Sequence, residues 1–534
     1  MKNILKSIFL LAVVAFASCN DLTEEVYSDL TEDGYKYKES EIYAVIGPVY
    51  SNLRGLHHHR GFSALQMTST DILCMPANAS GWDDAGVYKK LHFHTWNSEA
   101  KQVGSAWSQL YSGVLHANRI ISQLESGQVP VPASENVESL IAEIKVMRAL
   151  YHWFLMDNFG DTPYLDQVTQ ELPAVTPREQ IYENIVADIT ASMDKLSAEN
   201  DLKHYARMNK WGAKALLANI YLNAEVYTGQ SQWEKCMALC NEIIAANKYQ
   251  LQPDYKDCFD FDNDNSVENI FVIAYDELNG GGLWINHTFH AASKAKYDMK
   301  NTPWGAGSLK AVSQFIDTYE EGDYRLDVTW EHGLQFASDG ITPLLCTYDR
   351  AGEQLNYSKD LPNGNYTAED EGYRVKKFLP KIGSERNLDN DFPIFRYAQV
   401  LMMKAECLLR TGKADEAATI VTEVRQRAFK TNPDKATVTA ADLTTNTSYK
   451  FGYVEDYKIV EQGDQSPVEF GGFYDELGYE FAAEWVRRRD MIRFGTYTTK
   501  SWLSHKPQGD YRIVFPLPKG AIDTNPNLEQ HPNY

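Results

Sequence analysis

Glu480, Glu484, Arg487 and Arg488 fall three and four residues apart within the stretch YEFAAEWVRRRDMIRFG. That is the spacing of ion pairs along one helix face, and it predicts surface or semi-buried salt bridges before it predicts acid/base catalysis. A glycosidase needs two carboxylates facing each other across a substrate, a relation that spacing along the chain does not encode. No G-x-S-x-G, H-E-x-x-H or Walker-type loop occurs. Asp260, Asp262 and Asp264 open like a calcium loop, but Asn265 stands where that loop needs glycine and Phe271 where it needs its twelfth, bidentate ligand. His57-His58-His59 and His92-Phe93-His94 carry no Cys or carboxylate at ligand spacing, so they read as a solvated loop and a strand edge. No cofactor is expected, calcium at 260–264 being the one departure the spacing allows, and no catalytic residue is assigned.

The tryptophans carry more information. Trp107, Trp153, Trp211, Trp233 and Trp485 lie within helical periodicity and read as core, whereas Trp82, Trp284 and Trp304 sit in SGWDD, GGGLWIN and TPWGAG. A flat aromatic on a polar, glycine-rich loop is costly to leave in water unless something stacks on it. Sugar rings present a suitable C–H face, and neighbouring Asp or Asn side chains can take their hydroxyls. The alternative is that each of these indoles folds down onto the body.

The positioning elements are helical. In FRYAQVLMMKAECLLRTGKADEAATIVTEVRQRA (395–428) apolar residues recur three and four apart in two runs separated by Thr411-Gly412, predicting a helical hairpin. Ala405, Gly412 and Ala417 stand where tetratricopeptide repeats need small residues. A second pair is predicted at 211–247. A third joins 136–158 to 177–196, with Thr176 as N-cap and Pro177 in the first helical position. A helix at 98–125 belongs to a fourth. Residues 267–277 read as a strand leading into the loop at Asn279 to Gly282, and 54–97, 278–394 and 430–472 as irregular, loop-rich blocks. The predicted fold is mainly α: a helix-pair scaffold over about 40–250 and 395–500, with large loop-rich insertions and a few short strands.

Residues 1–18 read as an export signal, with Lys2 and Lys6 ahead of an apolar core too short to span a bilayer and Ala17-Ser18 directly before Cys19. That pattern predicts a lipoprotein in which Cys19 carries the acyl chains, a firm anchor at roughly 0.8 kcal/mol per buried methylene. Residues 19–534 then form one exported domain behind an acidic spacer. Its 43% hydrophobic content supports an extensive core, and a net charge of -22 argues against nucleic acid as a partner. The remaining six cysteines form no disulfide or metal framework, and Cys236, Cys240 and Cys407 fit as small core residues.

RALYHWFLMDNFGDTPYL (148–165), TPREQIYENIVADI, VENIFVIAYD, the hairpin at 395–428 and the ending VFPLPKGAIDTNPNLEQHPNY together resemble the SusD/RagB family of Bacteroidetes outer-membrane lipoproteins. The resemblance covers nearly the whole mature chain in order. It implies an extracellular, non-catalytic lipoprotein that captures oligosaccharide or polysaccharide and hands it to a SusC-like TonB-dependent transporter. It also implies four tetratricopeptide-like helix pairs, with the ligand site in the loop-rich insertions. Trp82, Trp284 and Trp304 lie in the corresponding regions, with Asp71, Asp83 and Asn78 as hydroxyl partners. An extended neutral glycan suits three separated indoles and the acidic surface. Two alternatives stay open: peptide uptake within the same fold, and a surface glycosidase.

Overall fold

The computed structural model describes residues 35–279, 283, 289–303, 309–385 and 387–534. The signal segment, Cys19, Trp284 and Trp304 lie outside the described residues.

Eight helices form the scaffold: α1 (Ile42–Leu56), α2 (Lys101–Glu125), α3 (Val137–Phe159), α4 (Arg178–Ser192), α5 (Lys210–Leu222), α6 (Trp233–Ala245), α7 (Tyr397–Arg410) and α8 (Ala414–Arg425). They pack as four pairs, α1/α2, α3/α4, α5/α6 and α7/α8, with α2 also on α3 and α6 also on α7. A hairpin cannot bury both faces by itself, and stacking the next pair against it closes the core. The long insertion between α6 and α7 therefore leaves the stack continuous in space.

Small residues set the close approaches. A Cβ on Gly113 of α2 would meet the Tyr151 ring of α3 at 2.3 Å, so this crossing admits only glycine. Ala405 and Ala417 are buried across the last hairpin, and Gly412 takes φ 79° at its turn. The six cysteines of the described residues are free and buried. Cys236, Cys240 and Cys407 lie together between α6 and α7, which is the packing role expected of them.

Two of the eight scaffold helices start on a local side-chain cap. Asn136 caps α3 through Ser139 N–H at 3.0 Å, and Asn209 caps α5 through Trp211 and Gly212. At α4 the predicted Thr176 cap is not made. Thr176 and Thr162 exchange backbone hydrogen bonds at 3.2 and 3.0 Å, Pro177 becomes the cap residue, and Asp161 accepts from Arg178 N–H at 2.8 Å. A cap from a distant loop thus replaces the local one.

The predicted strand appears as β2 (Asn269–Ile273). It pairs antiparallel with β6 (Phe392–Arg396), Phe392 opposite Ile273 and Arg396 opposite Asn269, and all ten residues are buried. A four-stranded antiparallel sheet runs in the order β1 (Leu73–Cys74), β3 (Lys310–Ala311), β5 (Arg374–Val375), β4 (Trp330–Glu331). It ties the early loop block to the central insertion.

The late helix is corrected most. It is two helices, α9 (Gly471–Phe481) and α10 (Arg487–Arg493), broken where Ala483 and Trp485 take φ 66° and 62°. Glu480, Glu484, Arg487 and Arg488 do not pair along one face and are all buried. Glu480 accepts from Arg396 at 2.8 Å and Arg427 at 2.5 Å, and Glu484 from Arg396 at 2.7 Å and Lys377 at 2.5 Å. Arg487 reaches Asp71 at 2.8 Å and Arg488 reaches Asp157 at 3.2 Å. These ions join scaffold to insertion.

Candidate functional site

The loop-rich face is built where the early loop block meets the insertion. Leaving β1, the chain pairs Ala77–Asn78 in parallel with Tyr366–Thr367, Ala77 opposite Tyr366. Asn78 then folds the next residues into a tight turn. Its Oδ1 accepts from Ser80 N–H and Oγ–H at 3.1 and 2.6 Å, its carbonyl accepts from Gly81 N–H at 2.9 Å, and its N–H donates to the Trp82 carbonyl at 3.3 Å. Asn78 is buried and acts on the turn.

Trp82 emerges from this turn half-buried, its indole 5.3 Å from the ring of Tyr88 and tilted by 32°. One face is seated on the body, so the expectation of an indole standing free on a loop is only half met. Asp83, beside it, pairs with Lys89 at 2.8 Å and keeps 38% of its side chain exposed. Asp71 does not join them. It has no exposed surface and both carboxylate oxygens take Arg487 N–H donors at 2.8 Å, which makes it an interior counter-ion. Of the sequence-expected residues within the described chain, the structure brings together Asn78, Trp82 and Asp83, and it separates Asp71.

Sequence reasoning missed Tyr366, which is 48% exposed beside the turn that carries Trp82. Its strand is held from beneath by two buried basic side chains. Lys310 donates to Thr367 Oγ1 at 2.5 Å and to the Ala368 carbonyl at 2.9 Å, and burial pushes its amine well below the usual lysine range. Arg374 donates to the Glu371 and Glu369 carbonyls at 2.7 and 2.6 Å. Gly372 takes φ 74°, and a Cβ there would lie 2.7 Å from Leu361. Glu369 is buried against His290 at 3.0 Å and accepts from the Thr347 and Tyr348 N–H groups at 2.8 Å each. Burial alone would raise its carboxyl, but these donors hold it below the usual range. A strand whose backbone is satisfied in this way can present Tyr366 in one place.

The histidine motifs are not solvated. His57, His59, His92 and His94 are all buried, His57 lying 4.7 Å from the Phe392 ring and His94 4.8 Å from Trp96. Burial lowers His92 and His94 to about 3, so they serve as neutral aromatic fillers. Asp262 and Asp264 point to solvent around a short 3-10 turn. Among the described residues no group of three or more His, Cys, Asp or Glu side chains is placed to hold a metal, and no helix is long and apolar enough to cross a membrane.

Residues 216–534 match the family model described as "SusD family", and residues 40–222 match the one described as "Starch-binding associating with outer membrane". The starch-binding protein SusD of Bacteroides thetaiotaomicron is 24% identical over 503 residues, covering 85% of this chain and 82% of that protein. Among solved structures, a laminarin binding SusD-like protein superposes with a TM-score of 0.69 at 18% identity, covering 94% of this chain and all of the other. Surface glycan-binding protein A from Bacteroides thetaiotaomicron, in complex with laminarihexaose, gives 0.67 at 19%, with 93% and 100% covered. With a family model spanning more than half of its length and the helix-pair fold shared over more than nine-tenths of it, this chain belongs to the SusD family.

Proposed function

We propose that this protein captures glycan without catalysis at the outer membrane and passes it to a partner transporter. The observation that carries the reading is the pair of accessible aromatics on paired segments: Trp82, seated on Tyr88, and Tyr366, across the Ala77–Asn78 pairing. A sugar ring stacks on such faces through its C–H groups, and Asp83 beside Trp82 can accept its hydroxyls. The printed functions of the relatives, starch, laminarin and surface-glycan binding, support the ligand class. Trp284 and Trp304 extend the proposed platform on sequence grounds, for an extended neutral chain. Lipidation at Cys19, an extracellular orientation and a SusC-like transporter belong to the same proposal.

Affinity electrophoresis tests it. Lipid-free protein (residues 20–534) is run through gels containing starch, laminarin and a panel of other neutral and acidic polysaccharides. Retardation by a neutral glycan is expected, reduced by Trp82→Ala and Tyr366→Ala, with the glycan recovered unhydrolysed. Free migration in every gel would overturn glycan capture and favour peptide uptake, and cleavage of the bound glycan would make the protein a glycosidase.

A further inference from the structure

The third irregular block, 430–472, sends a hairpin to the segment that carries Tyr366. Its strands β7 (Tyr453–Glu455) and β8 (Lys458–Glu461) pair antiparallel, Glu455 opposite Lys458, so that Asp456-Tyr457 is the two-residue turn. The base of the hairpin is fixed on the body, where Gly452 N–H donates to the Ser501 carbonyl at 2.7 Å and Val454 N–H to the Leu503 carbonyl at 2.6 Å. The tip is fixed as well. Tyr457 N–H donates to the Pro362 carbonyl at 3.4 Å, and the Tyr457 hydroxyl donates to Glu371 Oε1 at 2.5 Å. The other oxygen of Glu371, which is buried, accepts from Ala368 N–H at 2.7 Å, two residues after Tyr366. One carboxylate thus clips the hairpin tip to the end of the Tyr366 strand.

Local backbone chemistry does not ask for tyrosine at this tip. Asp456 and Tyr457 take φ 46° and 64°, the left-handed pair of a tight hairpin turn, and the second of those places ordinarily belongs to glycine. A bulky side chain is disfavoured there. Burial does not offset the strain, because Tyr457 remains 54% exposed. The turn therefore holds an aromatic ring in water with its hydroxyl end pinned, and strain of this kind gathers at ligand-holding positions. Tyr366 is placed in the same way: it is 48% exposed, and burial followed by the charges of Asp349, Glu371 and Glu369 raises its hydroxyl. Both phenols accordingly end near the Glu371 carboxylate.

We propose that Tyr457 is a further glycan-stacking ring, which completes the aromatic surface of Trp82 and Tyr366. The proposal rests on the glycan reading above and deepens it by a residue from a distant block of the chain. Tyr366 is the link between the other two. Its strand pairs with Ala77–Asn78, ahead of Trp82, and is clipped through Glu371 to Tyr457. With its hydroxyl committed to Glu371, Tyr457 meets a sugar through the face of its ring, and Glu371 is a positioning residue for it. A chain long enough to touch all three rings gains from each.

The polysaccharide gels described above test the assignment on residues 20–534, with thermal melts of the same variants. Tyr457→Gly removes the ring and suits φ 64°, so the hairpin keeps its turn. It should raise the apparent Kd for the retarding glycan about tenfold while melting close to the parent temperature. Tyr457→Phe keeps the ring and loses the hydrogen bond to Glu371, so its affinity should stay within about threefold of the parent's. Parent-like affinity in Tyr457→Gly, with retardation lost in Trp82→Ala and Tyr366→Ala, would overturn the assignment and leave the platform standing. Equal losses of affinity in Tyr457→Gly and Tyr457→Phe would also overturn it, because the tyrosine would then act only by positioning Tyr366 through Glu371. Free migration of the parent in every gel would remove the glycan reading and the role of Tyr457 with it.

Discussion

Glu480 sits among the guanidinium groups of Arg396, Arg427 and Arg325, at 2.8, 2.5 and 3.5 Å, with no exposed surface. Burial alone would raise its carboxyl, but the three cations outweigh that and hold it far below the usual range. Replacing a buried pair wholesale can be neutral, whereas removing one partner strands the others in a poor solvent. Glu480→Gln keeps the shape and deletes the charge, so it should cost about 3–5 kcal/mol, read as a lowered urea midpoint. A shift worth less than about 1 kcal/mol would mean that the cations find compensation elsewhere. The residue types of this network were legible in the chain, but their partners were not. Spacing three and four apart implies a helix face only while the helix continues, and the left-handed Ala483 and Trp485 turn Glu484 and Arg487 toward different elements. Tyr366 was hidden for a related reason, since only tertiary pairing with Ala77 makes the loop NGNYT a neighbour of Trp82.

Among the elements, α2 offers an internal comparison. Gly113 meets Tyr151, whose hydroxyl donates to the Val49 carbonyl of α1 at 2.7 Å, so three helices converge on one glycine. Gly104, two and a half turns earlier, has nothing within 4 Å of its Cβ direction. Gly113→Ala should therefore destabilise by roughly 1–3 kcal/mol through overpacking. Gly104→Ala should stabilise by about 0.5–1 kcal/mol through helix propensity. Opposite signs in two thermal melts are the expected outcome, and equal shifts would refute the close approach. The helix pairs themselves were legible because amphipathic periodicity is a local signal. The least explicit is α1, which falls within the scaffold expected from about 40 without being assigned as the partner of the helix at 98–125, and which carries Pro48 inside it. Ile42, Ile46, Val49, Leu53 and Leu56 recur three and four apart and form its buried face, packed on α2, so the local pattern is present and Pro48 masks it.

For the molecule as a whole, buried histidines decide how stability responds to acid. His92 and His94 are lowered to about 3 and His152 to about 4 by burial, and His290 and His505 are lowered as well. The unfolded chain protonates these imidazoles near 6.5 while the native state keeps them neutral, so below that pH the unfolded state binds more protons. Stability is therefore complete above about 6.5 and is lost as the pH falls. Asp391 and Asp475 act in the opposite sense. Burial raises both to about 6, so between roughly 6 and 3.8 the native state holds the extra proton and gains stability on acidification. Asp370 and Asp490, also raised by burial, join them, so five buried imidazoles set against four buried carboxyls leave the histidines the larger share, at up to about 1.4 kcal/mol per pH unit for each uncompensated proton. Below about 4.5 the carboxylates of Glu268, Glu406 and Glu480, which arginines hold below their usual range despite burial, add their own loss. Scanning calorimetry should show the melting temperature falling from pH 6.5 downward, about two units before ordinary carboxylates titrate. His92→Leu, which removes one imidazole whose ring nitrogens make no hydrogen bond among the described residues, should make the fall between pH 7 and 5 smaller, by more than about one-fifth because the raised carboxyls already offset part of it. A melting temperature that stays flat over that interval would mean that the unfolded chain does not gain these protons, and the buried imidazoles would then be mere packing.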